Sequence, residues 1–429
     1  MRPPLDSAPG RPSLVRWRIL ALVMSLCFIS HFNRASMASA GDERIMKQFG
    51  ISAEQMGVVY SAFLIIYTIF MIPGGLFIDR FGPRVALTVM GVGTAMFCAF
   101  TGMVGWGFIA ASQIWLSLVW VRSLMGLVTV PLHPASARAA SNWFPDRERA
   151  LANGLITGAA LLAYAAVHPL FGLLIDRFDW PKAFLISGGC TAALALIWFA
   201  TASDRPRLAD TREVSGGQRS ASGLGSLGLG QLLRNRSLML LTLSYAAVGY
   251  FQYLFFYWMH YYFDEVLHFG KIESRDYAGL PNLAMAICMP LGGWLTDQWQ
   301  KRPGSIAGRT PVPRIAMAAS ALLLLFGIFA SQPFWIVCWF TLSLGVLGLC
   351  EGAFWTTAVE LGRARGGTAA AIMNTGGNGI GLLAPVVTPY VSARIGWTWG
   401  ISLGAFVALA GALCWFWIDP KESSETALA

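Results

Sequence analysis

The chain has 429 residues, 55% hydrophobic and 12% charged, with a mean hydropathy of +0.56 and a formal net charge of +9. A soluble domain carries roughly 25% charged residues, so an ordinary soluble fold is excluded and a polytopic membrane protein is indicated. The positive charge could suggest nucleic acid, but it lies one-sidedly in the loops between apolar runs, which points to a lipid bilayer instead.

A span needs about 20 apolar residues. Roughly twelve stretches qualify: 17–40, 52–78, 84–106, 110–137, 150–174, 182–201, 236–263, 276–299, 313–332, 334–360, 367–390 and 396–418. Of the 31 Lys and Arg, 22 fall in the tails and in loops after even-numbered spans. Seven fall in the opposite loops: Arg44, Lys47, Arg177, Lys182, Lys271, Arg275 and Arg394. That asymmetry places both termini in the cytoplasm. The expected fold is all-α, with about 12 transmembrane helices in two six-helix halves. The domains are a tail 1–16, an N-terminal half 17–201, a linker 202–231, a C-terminal half 232–418 and a tail 419–429.

The first span imitates a secretory signal, with Ile19 to Ser30 as an apolar core and Ala38-Ser39-Ala40 at a cleavage-like position. Cleavage is rejected, because His31, Asn33 and Arg34 would separate core from cut site and eleven further spans follow. Span 2 ends in Gly74-Gly75-Leu76-Phe77-Ile78-Asp79-Arg80-Phe81-Gly82-Pro83-Arg84, read as a cytoplasmic hairpin. The paired glycines allow close helix approach, Asp79 and Arg80 end the span, and Gly82-Pro83 forces a turn. Span 4 carries Arg122, Thr129 and His133. Span 5 continues into Leu173-Leu174-Ile175-Asp176-Arg177-Phe178, an echo of Leu76 to Phe81 that suggests an inverted pair of spans.

Residues 204–230, rich in Arg, Ser and Gly, read as a flexible linker. On span 7, Tyr250, Tyr253, Tyr257 and Tyr261 recur at helical spacing. This is either packing and an interfacial belt or, for Tyr250 and Tyr253, part of a cavity wall. Span 8 ends in a weaker copy of the hairpin, Gly292-Gly293-Trp294-Leu295-Thr296-Asp297-Gln298, 218 residues after the first. Pro169 and Pro389 keep nearly the same offset, 220 residues. Two copies in register indicate two equivalent halves. Span 11 contributes Asn374, Thr375 and Asn378 beside Gly376, Gly377, Gly379 and Gly381, glycines that suit close packing or local unwinding. The seven cysteines lie in apolar runs without C-x-x-C spacing and read as buried thiols. No nucleophile with a base and no metal cluster appears, so neither an enzyme nor a cofactor is expected.

Charge inside a span marks function, since it costs a few kcal/mol there. At 1.5 Å per residue, Arg34 and Arg122 each lie about 24 Å along their helices from a cytoplasmic arginine, with Tyr67, Tyr250, Glu351 and Asn378 about 18 to 21 Å deep. Two guanidiniums at one level attract a carboxylate or phosphate. The structural alternative pairs Glu351 with one arginine and sets the other on helix carbonyls. Glu351 is thus a counter-ion, a proton carrier or an interhelical strut, and His31 and His133 are further proton-carrier candidates or packing residues.

The hairpin resembles the loop between helices 2 and 3 of the major facilitator superfamily, G-x-x-x-D-R-x-G-x-R. Its copies supply the gating candidates Gly75, Asp79, Arg80, Gly82, Arg84 and Asp297. Asn33-Arg34, Tyr60-Ser61-Ala62-Phe63 with Tyr67, Ile72-Pro73-Gly74-Gly75, Arg122 to Gly126, Asn142-Trp143-Phe144-Pro145 with Glu148-Arg149, and Met373 to Asn378 resemble the anion:cation symporter branch, whose members carry sugar acids, aromatic carboxylates and other organic anions. The resemblance implies that Arg34, Tyr67 and Asn374 contact substrate and that Arg122 supports the site. It also exposes departures. Asn33 and Thr129 stand where sugar-acid relatives often carry Asp and Glu, and Met71 where Gln is common, so the coupling carboxylates are missing.

The expectation is a monomeric secondary active transporter of small organic anions in the cell (inner) membrane. It works by alternating access, with H+ or Na+ symport or anion exchange. Tyr250, Tyr253, Thr375 and Asn378 complete its binding site. The alternatives are an exporter of drugs or amphiphiles and a non-transporting ligand sensor.

Overall fold

The computed structural model describes residues 14–51, 53–205, 228–301 and 309–419. Most of the predicted tails and linker residues 206–227 lie outside this range.

Chain order is α1 (Leu14–Ala40), a π-helical turn, α2 (Met46–Phe49), α3 (Ala53–Ile69), α4 (Met71–Val104), α5 (Ala111–Thr129), α6 (Leu132–Trp143) and α7 (Arg149–Thr201). After the linker come α8 (Leu229–Arg234), α9 (Arg236–Tyr261), α10 (Lys271–Gln300), α11 (Pro311–Phe329) and α12 (Pro333–Gly348). The last are α13 (Glu351–Gly362), α14 (Gly366–Gly381), α15 (Ala384–Ile395) and α16 (Trp397–Cys414). No strand occurs among the described residues. Ten stretches are long and apolar enough to cross a membrane, and one of them, Pro333–Gly381, has 49 residues. At about 20 residues per crossing that stretch is long enough for two passes.

Four of the predicted spans are broken in mid-course: at Phe70, at Val130–Pro131, at Leu349–Cys350 and at Leu382–Leu383. Three breaks have a common cause. Pro73, Pro134 and Pro385 lack the N–H that would bond the carbonyls of Ile69, Val130 and Gly381, four residues back. Conversely, α4 and α7 each run through two predicted spans, joined by single residues of non-helical backbone: Gly82 (φ 80°, ψ 163°) and Asp179 (φ 64°, ψ 158°). Gly396 turns α15 into α16 with φ 91° and ψ 158°. The turn after Asp79-Arg80-Phe81 is therefore repeated after Asp176-Arg177-Phe178, so the sequence echo is also an echo of backbone geometry.

Most buried apolar residues of α9 to α14 and α16 form one large cluster, which takes in Ala137, Ala160 and Leu161 from the earlier part of the chain, while Tyr250, Tyr253 and Ala384 form a small one of their own. Smaller clusters organise α1 to α7. Large apolar side chains such as Phe100, Trp120, Leu173, Leu196, Phe329 and Trp417 are exposed around the outside. In water that much apolar surface would drive association, whereas in hydrocarbon it is the solvated face.

Glycines set the closest helix approaches. A Cβ on Gly249 of α9 would run into the Gly377 carbonyl of α14, and one on Gly154 of α7 into the Met289 carbonyl of α10. The glycines of α14 thus serve packing, since the helix is regular through Gly381. Gly249→Val is expected to destabilise the protein by about 1–3 kcal/mol through overpacking, read as a lower unfolding temperature in detergent. The cysteine expectation needs correction. Cys27, Cys98, Cys350 and Cys414 are buried and Cys288 and Cys338 partly so, but Cys190 is exposed on the outer surface.

Candidate functional site

Arg122 of α5 is 2% exposed. Its Nη2 donates to the Arg34 carbonyl at 2.9 Å and its Nη1 to the Asn33 carbonyl at 3.5 Å, and its carbon Cζ lies 5.4 Å from the Phe63 ring centre. Both Nη atoms are directed at the α1 backbone. The guanidinium fixes the place from which Arg34 projects.

Arg34 is only partly buried. Its guanidinium stacks over Phe63 at 5.0 Å and over Tyr67 at 6.0 Å, within electrostatic range of Tyr164, Tyr253 and Tyr257. Among the described residues neither Arg34 nor Arg122 has a carboxylate within ion-pair distance. A cation beside aromatic faces is stabilised by ring quadrupoles, and although Arg34 also hydrogen-bonds the Tyr253 side chain, a guanidinium has five N–H donors and keeps others for an anion.

Next to Arg34 runs a hydrogen-bonded ladder. Tyr253 of α9 donates to Asn378 Oδ1 at 2.9 Å, Asn378 Nδ2 donates to Asn374 Oδ1 at 2.9 Å, and Asn374 Nδ2 donates to the Tyr67 hydroxyl at 3.2 Å. The ladder crosses from α9 through α14 to α3. It joins residues 186 positions apart in sequence (253 minus 67) at one level.

Not every candidate joins this group. Thr375 bonds back to the Ala371 carbonyl at 2.9 Å, and the Tyr250 hydroxyl meets Thr388 of α15 at 3.2 Å, so neither is tied to the ladder. Thr129 bonds its own helix and lies 3.4 Å from Thr94. Asn33, fully buried, donates to Thr191 at 2.7 Å and accepts from Ser187, both on α7. Both positions at which the coupling carboxylates were expected therefore point into helix contacts. Of the tyrosine belt on α9, the Tyr261 side chain lies outside the description.

Glu351, 1% exposed, also departs from the counter-ion reading. It accepts from Gln252 at 2.8 Å, from Tyr245 at 3.2 Å and from the Trp355 indole at 3.2 Å, and forms no ion pair among the described residues. Across from it, His31 and His133 approach within 3.2 Å through their Nε2 atoms, and His133 stacks on Trp355 with centroids 5.3 Å apart. Tyr164, Tyr245 and Trp355 were not singled out from sequence, and Phe63 was named only as part of a motif. Trp355, one turn after Glu351, and Tyr164, alone in an alanine-rich span, were the available signals.

At the end of the bundle bearing the glycine motifs, the two motif carboxylates perform the same task. Asp79 accepts from the Gly367 and Thr368 backbone N–H groups at 2.9 and 3.0 Å and from the Thr368 hydroxyl at 2.5 Å. Asp297 accepts from the N–H groups of Ala150 and Leu151 at 3.2 and 2.8 Å. Each carboxylate thus sits on a helix N-terminus, α14 or α7, in the other part of the chain, where unpaired N–H groups favour an anion. Gly75 allows the contact, since a Cβ there would press on Thr368 and Ala371. Arg138 reinforces it, donating to the Arg363 carbonyl at 2.6 Å, and Glu360 bridges Arg309 at 2.5 Å and Arg149 at 3.6 Å.

The remaining motif residues act locally. Arg84 donates to the Phe199 carbonyl at 2.6 Å and its backbone N–H to Asp204 at 2.7 Å. Gly82 keeps its turn clear of the Asp204 carboxylate, and Arg80 is exposed over Phe81.

The family model described as the Major Facilitator Superfamily matches residues 23–381. The chain is 26% identical over 430 residues to a D-galactonate transporter of Escherichia coli, covering 96% of each. It is 27% identical to the "Probable galactarate/D-glucarate transporter GudP" of Bacillus subtilis, covering 89% of this chain and 87% of that one. It is 26% identical to the "Probable sulfoacetate transporter SauU" of Cupriavidus necator, covering 94% of each. Among solved structures, a proton:xylose symporter bound to 6-bromo-6-deoxy-D-glucose superposes with a TM-score of 0.71 at 15% identity, over 96% of this chain and 98% of that one. The Escherichia coli fucose:proton symporter gives 0.64 at 15% identity, over 93% and 98%.

Proposed function

The chain belongs to the major facilitator superfamily, and from that premise we propose that it carries small organic anions, sugar acids or related carboxylates, across the cell's inner membrane by alternating access. One observation carries the reading. Arg34 is a partly buried guanidinium ringed by aromatic faces with no carboxylate partner, while the neighbouring Arg122 is committed to backbone carbonyls. A planar fork in that setting takes a carboxylate bidentately. Tyr67, Asn374, Asn378 and Tyr253 stand beside it with groups suited to hydroxyls. That polar wall fits the sugar acids in the names of the relatives.

The two halves, 17–201 and 232–418, rock as units around this level, each bringing groups to it. The motif end is the cytoplasmic end, with both termini on that side. Asp79 and Asp297 hold it shut, so the conformation described is the one that loads from outside. A proton or Na+ drives accumulation, or a second anion exchanges. One chain makes a complete pathway.

A thermal-shift panel on purified protein tests the reading with sugar acids, aromatic carboxylates, short dicarboxylates, organophosphates and cationic dyes. A ligand at about 100 times its dissociation constant adds roughly 2.7 kcal/mol of stability. Stabilisation by one anion class, absent in Arg34→Ala, is the expected result. Stabilisation by cations or neutral amphiphiles, unaltered in that variant, would instead make the protein an exporter of amphiphiles.

A further inference from the structure

The hydrogen bonds around His31 fix its tautomer. Nδ1 lies 2.9 Å from the Cys27 carbonyl, which can only accept, so Nδ1 carries the hydrogen. In a neutral ring Nε2 is then an acceptor. The atom facing it at 3.2 Å is His133 Nε2, which must donate. That leaves a lone pair on His133 Nδ1. One proton added there makes His133 an imidazolium that still donates to His31, and no hydrogen bond is lost. A second would set two N–H groups against each other across 3.2 Å. The pair therefore has room for a single proton.

Its surroundings give that proton a mechanical consequence. His133 lies on α6, and it stacks at 25° on Trp355 of α13, in the other half of the chain. A cation over an indole face is attracted by the ring quadrupole. The same indole donates its N–H, at the ring edge, to the Glu351 carboxyl group. The titratable and charged groups facing the pair are Cys27 and Arg34 on α1, Tyr164 on α7, and Glu351 on α13 at the edge of Trp355. Arg34 acts on both rings. Its positive charge repels a proton on the pair, and a carboxylate seated on Arg34 cancels that repulsion. Substrate and proton then favour each other's binding, as linkage requires.

We propose that the hydrogen-bonded His31–His133 pair, stacked on Trp355, is the coupling site of this transporter, binding one proton that draws the halves together when an anion occupies Arg34. The proposal rests on the anion-transport reading. It places coupling on imidazoles, at positions different from Asn33 and Thr129. The lone pair of His133 Nδ1 takes the proton from water on one side and returns it on the other.

Two readouts test it. The first needs no substrate: 15N-histidine NMR of the purified full chain across neutral and acidic pH. One of the two rings should gain a proton while the Nε2 hydrogen bond persists, and the signal should vanish in His133→Gln and in His31→Asn. Uptake by both rings, or by neither, overturns the proposal. The second uses proteoliposomes with D-galactonate as the probe, followed by whichever anion stabilises the protein in the panel. An inward proton gradient of about two pH units should concentrate the probe at least ~10-fold in wild type and ~1-fold in His133→Gln, one pH unit being worth tenfold. An unfolding temperature in detergent close to that of wild type shows that the variant is folded. Gradient-driven accumulation retained in His133→Gln and lost in Glu351→Gln overturns the pair in favour of the carboxylate. If wild type lacks counterflow with every anion, the transport reading fails, while the NMR readout still decides whether the pair holds one proton.

Discussion

Asp79→Ala is expected to open the motif end of the protein. The carboxylate accepts three hydrogen bonds, two of them from backbone N–H groups that start α14 and have no partner within that helix. A hydrogen bond to a charged group contributes about 1.5–3 kcal/mol, and solvent screening at this partly solvated group lowers that to about 1 kcal/mol for each. Losing all three costs about 3 kcal/mol in the closed state and nothing in a state where the halves are parted. At 1.4 kcal/mol per factor of ten, the open population rises by about 150-fold. Asp297→Ala removes two equivalent bonds to the start of α7 and should act in the same direction, more weakly. The distance between spin labels at Arg147 and Ala364, exposed on opposite sides of the seam, reads the opening once the native cysteines are replaced. An unchanged distribution in the double variant would mean that Arg138 and Glu360 hold the seam alone.

Glu351→Leu should give the largest loss of stability among single side-chain changes near the site. Burying a carboxylate is costly, and here Gln252, Tyr245 and Trp355 offset the cost with a hydrogen bond each. Leucine relieves the buried charge but strands three donors in an apolar core, at about 1–3 kcal/mol apiece. We expect a net destabilisation of about 3 kcal/mol, against about 1 kcal/mol for Glu351→Gln, which keeps one acceptor. Unfolding temperatures in detergent measure both. Tyr245→Phe and Gln252→Leu added to Glu351→Leu should recover part of the loss, because the stranded donors are then gone. If Glu351→Leu is as stable as wild type, the three bonds contribute nothing. Glu351 would then have to be charged for another purpose.

Where a residue's task follows from what it is bonded to along its own stretch of chain, the sequence was enough. Apolar length marked the chain as membrane-spanning, with ten stretches long and apolar enough to cross among the described residues, because a bilayer demands about 20 residues whatever they pack against. The copy of Gly74-Gly75 and Asp79 at Gly292-Gly293 and Asp297 announced a repeat, and each aspartate proved to sit on a helix start in the other half. Arg34 and Arg122 stood out because charge in hydrocarbon is expensive and therefore purposeful.

Only the family resemblance separated their tasks; depth and residue chemistry did not. Both lie at the same depth, and only packing turns Arg122 onto the α1 carbonyls and leaves Arg34 available. For the same reason depth alone grouped Tyr250 with Tyr253, although three residues along a helix rotate one toward Thr388 and the other toward Asn378. His31 and His133 are 102 residues apart, and nothing local to either predicts a 3.2 Å contact. Sequence determined which groups are costly to bury and how deep they lie, since those depend on solvent and on chain length. Tertiary structure decided which of them meet, since a side chain's direction is set by the helices packed around it.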